Sequence, residues 1–290
     1  MRFALTPEQE DFAGSLDKLL AASDTVAVAR AWAEGDAVPG LELWQRLAEQ
    51  GLTMLATEAT PVEVTVAFEA LGRFAVPGPW VESAVYLPVL LGHEIECIGT
   101  VAAPLAVDAD VADRVYALGD DAVRRGTVGE RRTSIDPTRR LFTVTPGEAV
   151  ASENLDAAWN AAVLAVSAQL LGLGEHLLEE SVAYVKQRRQ FGREIGSYQA
   201  IKHALADVRI ALDFARPMVH GAALGAMPAS AAKVMAGDAA YLASRTALQV
   251  HGAIGYTREL DLSLWMLKTR ALVTAWGTPA QHRVRVLEAL

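Results

Sequence analysis

The stretch "QRRQFGREIGSYQAIKHALADVRIAL", Gln187 to Leu212, decides how the rest of the chain is read. It reads as the end of one helix and the start of another, joined by a charged elbow. Lys186, Arg188, Arg189 and Arg193 crowd around a single aromatic residue, Phe191. The ordinary explanation is a solvated helix C-terminus, where cations offset the helix dipole. The sharper one is an anion clamp. Arg188 and Arg189 would fork onto a pyrophosphate, Phe191 would pack on a flat ring, and Gly192 would let the chain turn. On these residues alone the ordinary explanation is the commoner one.

Working outward, long apolar-periodic segments surround the elbow. From Ser152, "SENLDAAWNAAVLAVSAQLLGLGEHLLEESVAYVKQRRQ" precedes it. "PASAAKVMAGDAAYLASRTALQVHG" and "LDLSLWMLKTRALVTAW" follow the helix that the elbow opens. Four such alanine-rich helices with short connections predict an antiparallel bundle over residues 151–290. At the other end, "LTPEQEDFAGSLDKLLAA" predicts a helix capped by Thr6, with Pro7 at its first position and Gln9 completing the cap. "LELWQRLAEQG", "VEVTVAFEALGRF" and "WVESAVYLPVLLG" predict three more, so residues 1–97 read as a helical domain. Between them, "TVAAPLAV", "RVYALG" and "RRLFTVTP" are short, β-branched and bounded by turn residues. They predict a small sheet domain over 98–150.

The 290 residues are 52% hydrophobic and 21% charged, the composition of a folded globular chain. A net charge of −9 argues against general nucleic-acid binding and makes the basic elbow stand out. One cysteine, Cys97, leaves no intramolecular disulfide framework. It reads as a buried small apolar residue in a reducing, cytoplasmic setting. No apolar run looks long enough to span a membrane, and "MRFALTPEQEDF" lacks the apolar centre of a signal peptide. The six histidines form no metal-ligand pattern, so no metal is expected. "GLGEHL" at 172–177 lacks the third glycine and preceding strand of a dinucleotide fingerprint.

A second stretch, "QVHGAIGY" from Gln249 to Tyr256, ends a long helix in a Gly-rich turn. With both motifs in hand, the chain resembles the acyl-CoA dehydrogenase family. "FALTPEQEDF", "LWQRLAEQGL" and "FEALGRFAVPGPW" look like that family's N-terminal helical domain. "YVKQRRQFGREIGSYQAIKHALADV" and "ALQVHGAIGYTRELDL" look like its two characteristic C-terminal stretches. The resemblance implies a mainly α fold: an N-terminal helical domain, a reduced β-domain and a C-terminal four-helix bundle. It also implies FAD, whose ADP half the elbow and turn grip from a neighbouring subunit. Carried over residue by residue, Arg188 meets the pyrophosphate, and Gln190 and Phe191 line the adenosine side. Gln199 contacts the cofactor from the next helix. Gln249 and Gly252 form the turn, with Ala253 in place of its second glycine.

The sequence also departs from the family. Dehydrogenation needs a base at the acyl C2 while the flavin takes hydride from C3. Where the family carries that Glu, this chain has Trp276, and near the alternative position it has Ala162. The strands that hold the flavin ring have no counterpart in 98–148. The resemblance therefore implies the base-lacking subunit of a heteromeric α2β2 enzyme, of the kind acting on steroid-derived CoA esters. The partner would be a homologous full-length subunit holding the base and most of the acyl-CoA site. Two alternatives stand beside it. One is a self-sufficient dehydrogenase with an unrecognised base, Asp156 or Glu259; the other is a scaffold protein that has lost the cofactor.

Overall fold

The computed structural model describes residues 4–95, 97–151 and 153–289. Met1–Phe3 of the opening stretch and Ser152, from which the C-terminal helices were read, lie outside the described residues. Helix α1 (Pro7–Ala21) starts as its sequence predicts. Thr6 Oγ1 accepts from the Gln9 amide at 3.3 Å while Gln9 Oε1 accepts from the Thr6 amide at 3.0 Å. Helices α2 (Thr25–Glu34), α3 (Val38–Glu49), α4 (Leu55–Glu58) and α5 (Pro61–Arg73) follow. A π-helical turn, Glu82–Tyr86, then runs into α6 (Leu87–Leu91). Helix α2 was not anticipated. It starts at Asp24, whose backbone is left-handed (φ 41°) and whose side chain accepts from the Ala27 amide at 3.2 Å.

The sheet comprises β1 (Gly99–Ala102), β2 (Ala106–Val107), β3 (Arg114–Leu118), β4 (Val123–Arg132) and β5 (Leu141–Ala151). Their spatial order is β1-β3-β4-β5-β2, with β1 and β3 parallel and the other pairs antiparallel. Strand β4, "VRRGTVGERR", was missed because it is exposed over most of its length and shows no apolar alternation. Its pairing with β5 defines it, a contact invisible in the local pattern. A buried polar knot ties the sheet to α2. Asp108 Oδ1 accepts from Trp32 Nε1 at 3.0 Å and from Arg140 Nε at 3.2 Å, and the Arg140 guanidinium lies 4.5 Å from the Trp32 ring centre.

Helix α7 (Leu155–Gln187) is the spine of the C-terminal part and packs against α5, α8 (Gln199–Ala223) and α9 (Ala229–His251). Its Gly172 passes so close to the Glu69 carbonyl of α5 that a Cβ would collide, and a Cβ on Gly174 would meet Leu212 of α8 at 2.6 Å. The glycines of "GLGEHL" thus serve helix packing. Two shorter helices, α10 (Ser263–Leu272) and α11 (Pro279–Glu288), complete the bundle. Helix α11 makes a fifth, unexpected helix; its Thr278–Gln281 reciprocal cap was nonetheless legible. The sequence reading found no apolar run of spanning length, and here the structure corrects it. By length and composition α7 is apolar enough to cross a membrane, but 89% of its apolar window is buried within the fold. Cys97 is half-buried, not fully buried as expected. One continuous core cluster runs from Leu16 and Leu20 of α1 through Val101 and Tyr116 of the sheet to Trp276.

Candidate functional site

Helix α7 stops at Arg188, whose backbone turns extended (φ −73°, ψ 123°). The chain then makes a two-residue hairpin between β6 (Arg189–Gln190) and β7 (Arg193–Glu194). Phe191 (φ 52°) and Gly192 (φ 80°) are its central residues. Two left-handed residues in succession match the right-handed twist of a tight hairpin, but the first is a phenylalanine, which costs about 1–2 kcal/mol there. At the tip of the hairpin the ring meets solvent, and Phe191 is 92% exposed. Of the basic residues, Arg193 stacks on the Tyr198 ring at 3.8 Å and Arg189 Nη2 donates to the Gly192 carbonyl at 3.4 Å. The Arg188 side chain is exposed and has no hydrogen-bond or ion-pair partner among the described residues. A turn through Ile195–Ser197 leads to exposed Gln199 at the head of α8.

The second motif ends α9. Gly252 has φ 63° and ψ −137°, a backbone conformation that glycine alone adopts readily. A Cβ there would meet nothing within 4 Å, so conformation, not crowding, requires the glycine. Gln249 and Ala253 are exposed beside it. Tyr184, four residues before Arg188, stacks on His251, the residue before Gly252, with ring centres 4.2 Å apart. This stack holds elbow and turn at one end of the bundle. Their open backbone, exposed aromatic ring and unpartnered guanidinium fit the pyrophosphate and adenosine of a flavin dinucleotide.

The two positions at which the family carries its base lie inside. Trp276 is 4% exposed and left-handed (φ 55°). Its ring packs against Tyr86 at 4.8 Å and edge-on against Trp159 at 5.3 Å. Its carbonyl lies 2.9 Å from His282 Nε2. Ala162 is fully buried in α7. Asp156 and Glu259 are both exposed, and neither lines the cavity beside Trp276. Glu175 is held in an ion network by Arg209 at 2.6 Å and Arg216 at 2.8 Å.

Sequence reasoning missed Glu82. It is 3% exposed, and its Oε1 accepts from Trp276 Nε1 at 3.3 Å. Burial pushes its pKa up, against the opposing influence of Arg139 and the Trp276 hydrogen bond. It lines a cavity of about 270 Å³ with Arg139 and Trp276, where the π-helical turn, the β1–β2 strands and α10 meet. The available signal was a lone carboxylate in the apolar run "WVESAVYLPVLLG".

Comparison with known proteins adds four observations. Residues 155–290 match the family model described as acyl-CoA dehydrogenase, C-terminal domain. The chain is 30% identical over 243 residues to the acyl-CoA dehydrogenase IpdE2 of Mycolicibacterium smegmatis, covering 78% of each chain. Its fold is similar to the ChsE4–ChsE5 complex from Mycobacterium tuberculosis (TM-score 0.83, 19% identity, 99% of this chain and 98% of that one). It is likewise similar to a variant of the Tcur3481–Tcur3483 steroid ACAD (TM-score 0.81, 18% identity, 97% of each).

Proposed function

The chain belongs to the acyl-CoA dehydrogenase family, and from that premise we propose that it is the subunit of a heteromeric flavoenzyme that lends FAD contacts without supplying the base. The observation carrying this reading is a contrast within one bundle. The elbow is open to solvent with Phe191 92% exposed, whereas the family's base position is closed by the buried Trp276. FAD, when bound, supplies the hydride acceptor for the acyl C3. Arg188 holds its pyrophosphate by a charge-assisted fork. Gln190 and Phe191 cover the adenosine, Gln199 contacts it from α8, and Gln249, Gly252 and Ala253 offer the turn at which a ligand approaches the backbone closely. The partner, a homologous full-length subunit in an α2β2 assembly in the cytoplasm, carries the base and most of the acyl-CoA site. The boundaries at about residues 97 and 150 separate the helical, sheet and bundle domains of this subunit. A steroid-derived CoA ester is the substrate class that the resemblance favours, in line with the steroid ACAD of similar fold.

The test is flavin counting on the chain purified alone and co-expressed with a homologous full-length subunit. The expected outcome is flavin in the complex and little or none in the lone chain. A stoichiometrically yellow lone chain would sink the reading. Glu82 gives the self-sufficient alternative its one support, a buried carboxylate of raised pKa lining a cavity. Turnover by the lone chain that Glu82→Gln abolishes would favour it.

A further inference from the structure

The cavity beside Trp276 holds more than the Glu82 carboxyl. It measures about 270 Å³, and none of the residues assigned to FAD lines it. Leu105, Leu141 of β5 and Ala271 of α10 give it an apolar wall that Trp276 completes. Against that wall stand two ionisable side chains, Glu82 and the half-buried Arg139. The volume falls below the roughly 300–1,000 Å³ of pockets that take drug-sized ligands. Whatever fits is small.

Arg139 is the group that lacks a counterpart. Its guanidinium has no hydrogen-bond or ion-pair partner among the described residues. The carboxylates held against its segment are engaged elsewhere. Asp136 pairs with Lys268 at 3.4 Å and accepts from the Thr138 hydroxyl at 2.8 Å, and Asp108 pairs with Arg140 at 3.2 Å. Glu82 makes no ion pair with Arg139; its Oε1 accepts from Trp276, and burial favours its neutral form. A second cation adds to the imbalance. Lys233, 2% exposed, donates to the Leu272 and Val273 carbonyls at 3.0 and 2.9 Å and has no carboxylate partner among the described residues. Burial, and behind it the charge of Arg139, lowers its pKa to about 7. Bringing like charges together is unfavourable unless an anion joins them.

The walls are also fixed in place. Lys268 of α10 donates to Thr138 Oγ1 at 2.8 Å, next to Arg139. His282 of α11 sits between Ser230 Oγ at 3.0 Å and the Trp276 carbonyl at 2.9 Å, which holds the Trp276 turn. A preorganised site spends little ordering entropy on its ligand. The wall chemistry selects that ligand. One guanidinium offers a two-point fork to a carboxylate, and a neutral Glu82 carboxyl can donate a further hydrogen bond to it. A dianion such as phosphate would bring more charge than one arginine offsets and would leave the apolar wall uncovered.

We infer that this cavity binds a small monocarboxylate, forked by Arg139, with its short alkyl or aryl tail against Trp276, Leu105 and Leu141. The site takes a free acid, not a flavin or a thioester. It rests on neither the partner subunit nor the role given to Arg188.

Isothermal titration of the full chain, alone and in the co-purified complex, tests it with four probes: isobutyrate, benzoate, isobutyramide and inorganic phosphate. One or both carboxylates are expected to bind, about tenfold to hundredfold more tightly than the amide, which lacks the charge. Phosphate should bind no better than the amide. Arg139→Gln should remove the preference for acid over amide, and Arg139→Lys should restore part of it. The ranking of acid over amide in the parent chain tests the inference even where a substitution impairs folding. Four results would each overturn it. They are no carboxylate binding, an amide bound as tightly as the acids, phosphate bound as tightly as the acids, and a preference that survives Arg139→Gln. A loss on Arg258→Ala equal to that on Arg139→Gln would place the anion in the neighbouring cavity, which both arginines line, and would overturn it as well.

Discussion

The two ends of the family's chemistry have opposite fates in this molecule. At the elbow, a strained hairpin turns Phe191 into solvent and leaves Arg188 without a partner among the described residues. At the base position, Trp276 is packed between aromatic rings and hydrogen-bonded to a buried Glu82. A chain that had simply lost its activity would be expected to relax both. Here the elbow keeps a left-handed Phe191 and an Arg188 side chain with no partner among the described residues, while the interior is filled. We read the outward residues as serving something outside the chain, whereas the closed interior serves the chain's own stability.

The sharpest way to break that contrast is to reopen the interior. Trp276→Glu removes a buried indole and sets a second carboxylate beside Glu82. Losing the indole alone costs about 3–5 kcal/mol, and an unpaired buried charge adds to it. Urea melts should show the loss, and an artificial-acceptor assay should show no acyl-CoA oxidation by the lone variant. Robust turnover would mean that only the base had been missing.

The outward end should respond in the opposite sense. In the complex, Arg188→Ala is expected to raise the FAD dissociation constant about tenfold to hundredfold, the equivalent of about 1.5–3 kcal/mol for a hydrogen bond to a charged group. Stability should stay within about 0.5 kcal/mol, as for an exposed residue. Arg188→Lys should recover part of the affinity, because an ammonium makes no two-point contact. Flavin titration reads both, and unchanged affinity would reduce the elbow to a solvated helix end.

The interior should also govern pH behaviour. Burial, reinforced by Arg73, lowers the His176 pKa to about 4. Burial, reinforced by Lys233, lowers His282 to about 4 as well. Both are neutral in the folded chain and take up protons on unfolding once pH drops below 6.5. Stability is therefore lost as pH falls from 6.5 toward 4, by about 1 kcal/mol per histidine over the first unit. Denaturant melts at pH 7 and 5.5 measure it, and a flat profile would contradict neutral imidazoles at both positions.

Glu82 should oppose that trend with a smaller effect. Burial raises its pKa, so the folded chain gives up this proton at a higher pH than the unfolded chain does, and the residue destabilises at neutral pH and less so in acid. Glu82→Gln should thus be modestly more stable than the parent at pH 7 and steepen the histidine-driven loss. Equal stability across the range would show that Glu82 is ionised in the fold.

Legibility followed the range of the forces involved. Thr6 and Gln9 announce α1 because a cap is satisfied within four residues. The apolar period of α7 and α8 and the glycines at 192 and 252 are likewise local, and the two family motifs sit on them. Strand β4 was not legible, because its exposed, charged residues become a strand only through pairing with β5. Glu82 was not legible as a buried acid, because its burial depends on Trp276, which lies 194 residues away and meets it only in the fold.

The sequence by itself determined the helix boundaries set by caps, the apolar faces, the family motifs and the absence of a carboxylate at positions 162 and 276. Only the tertiary structure decided that Tyr184 and His251 hold the two motifs together, that Phe191 faces solvent, and that Trp276 closes over Glu82. The reason is physical: capping and periodicity are settled by neighbours along the chain, whereas burial, pKa and the meeting of charges are settled by residues that become neighbours only when the chain has folded.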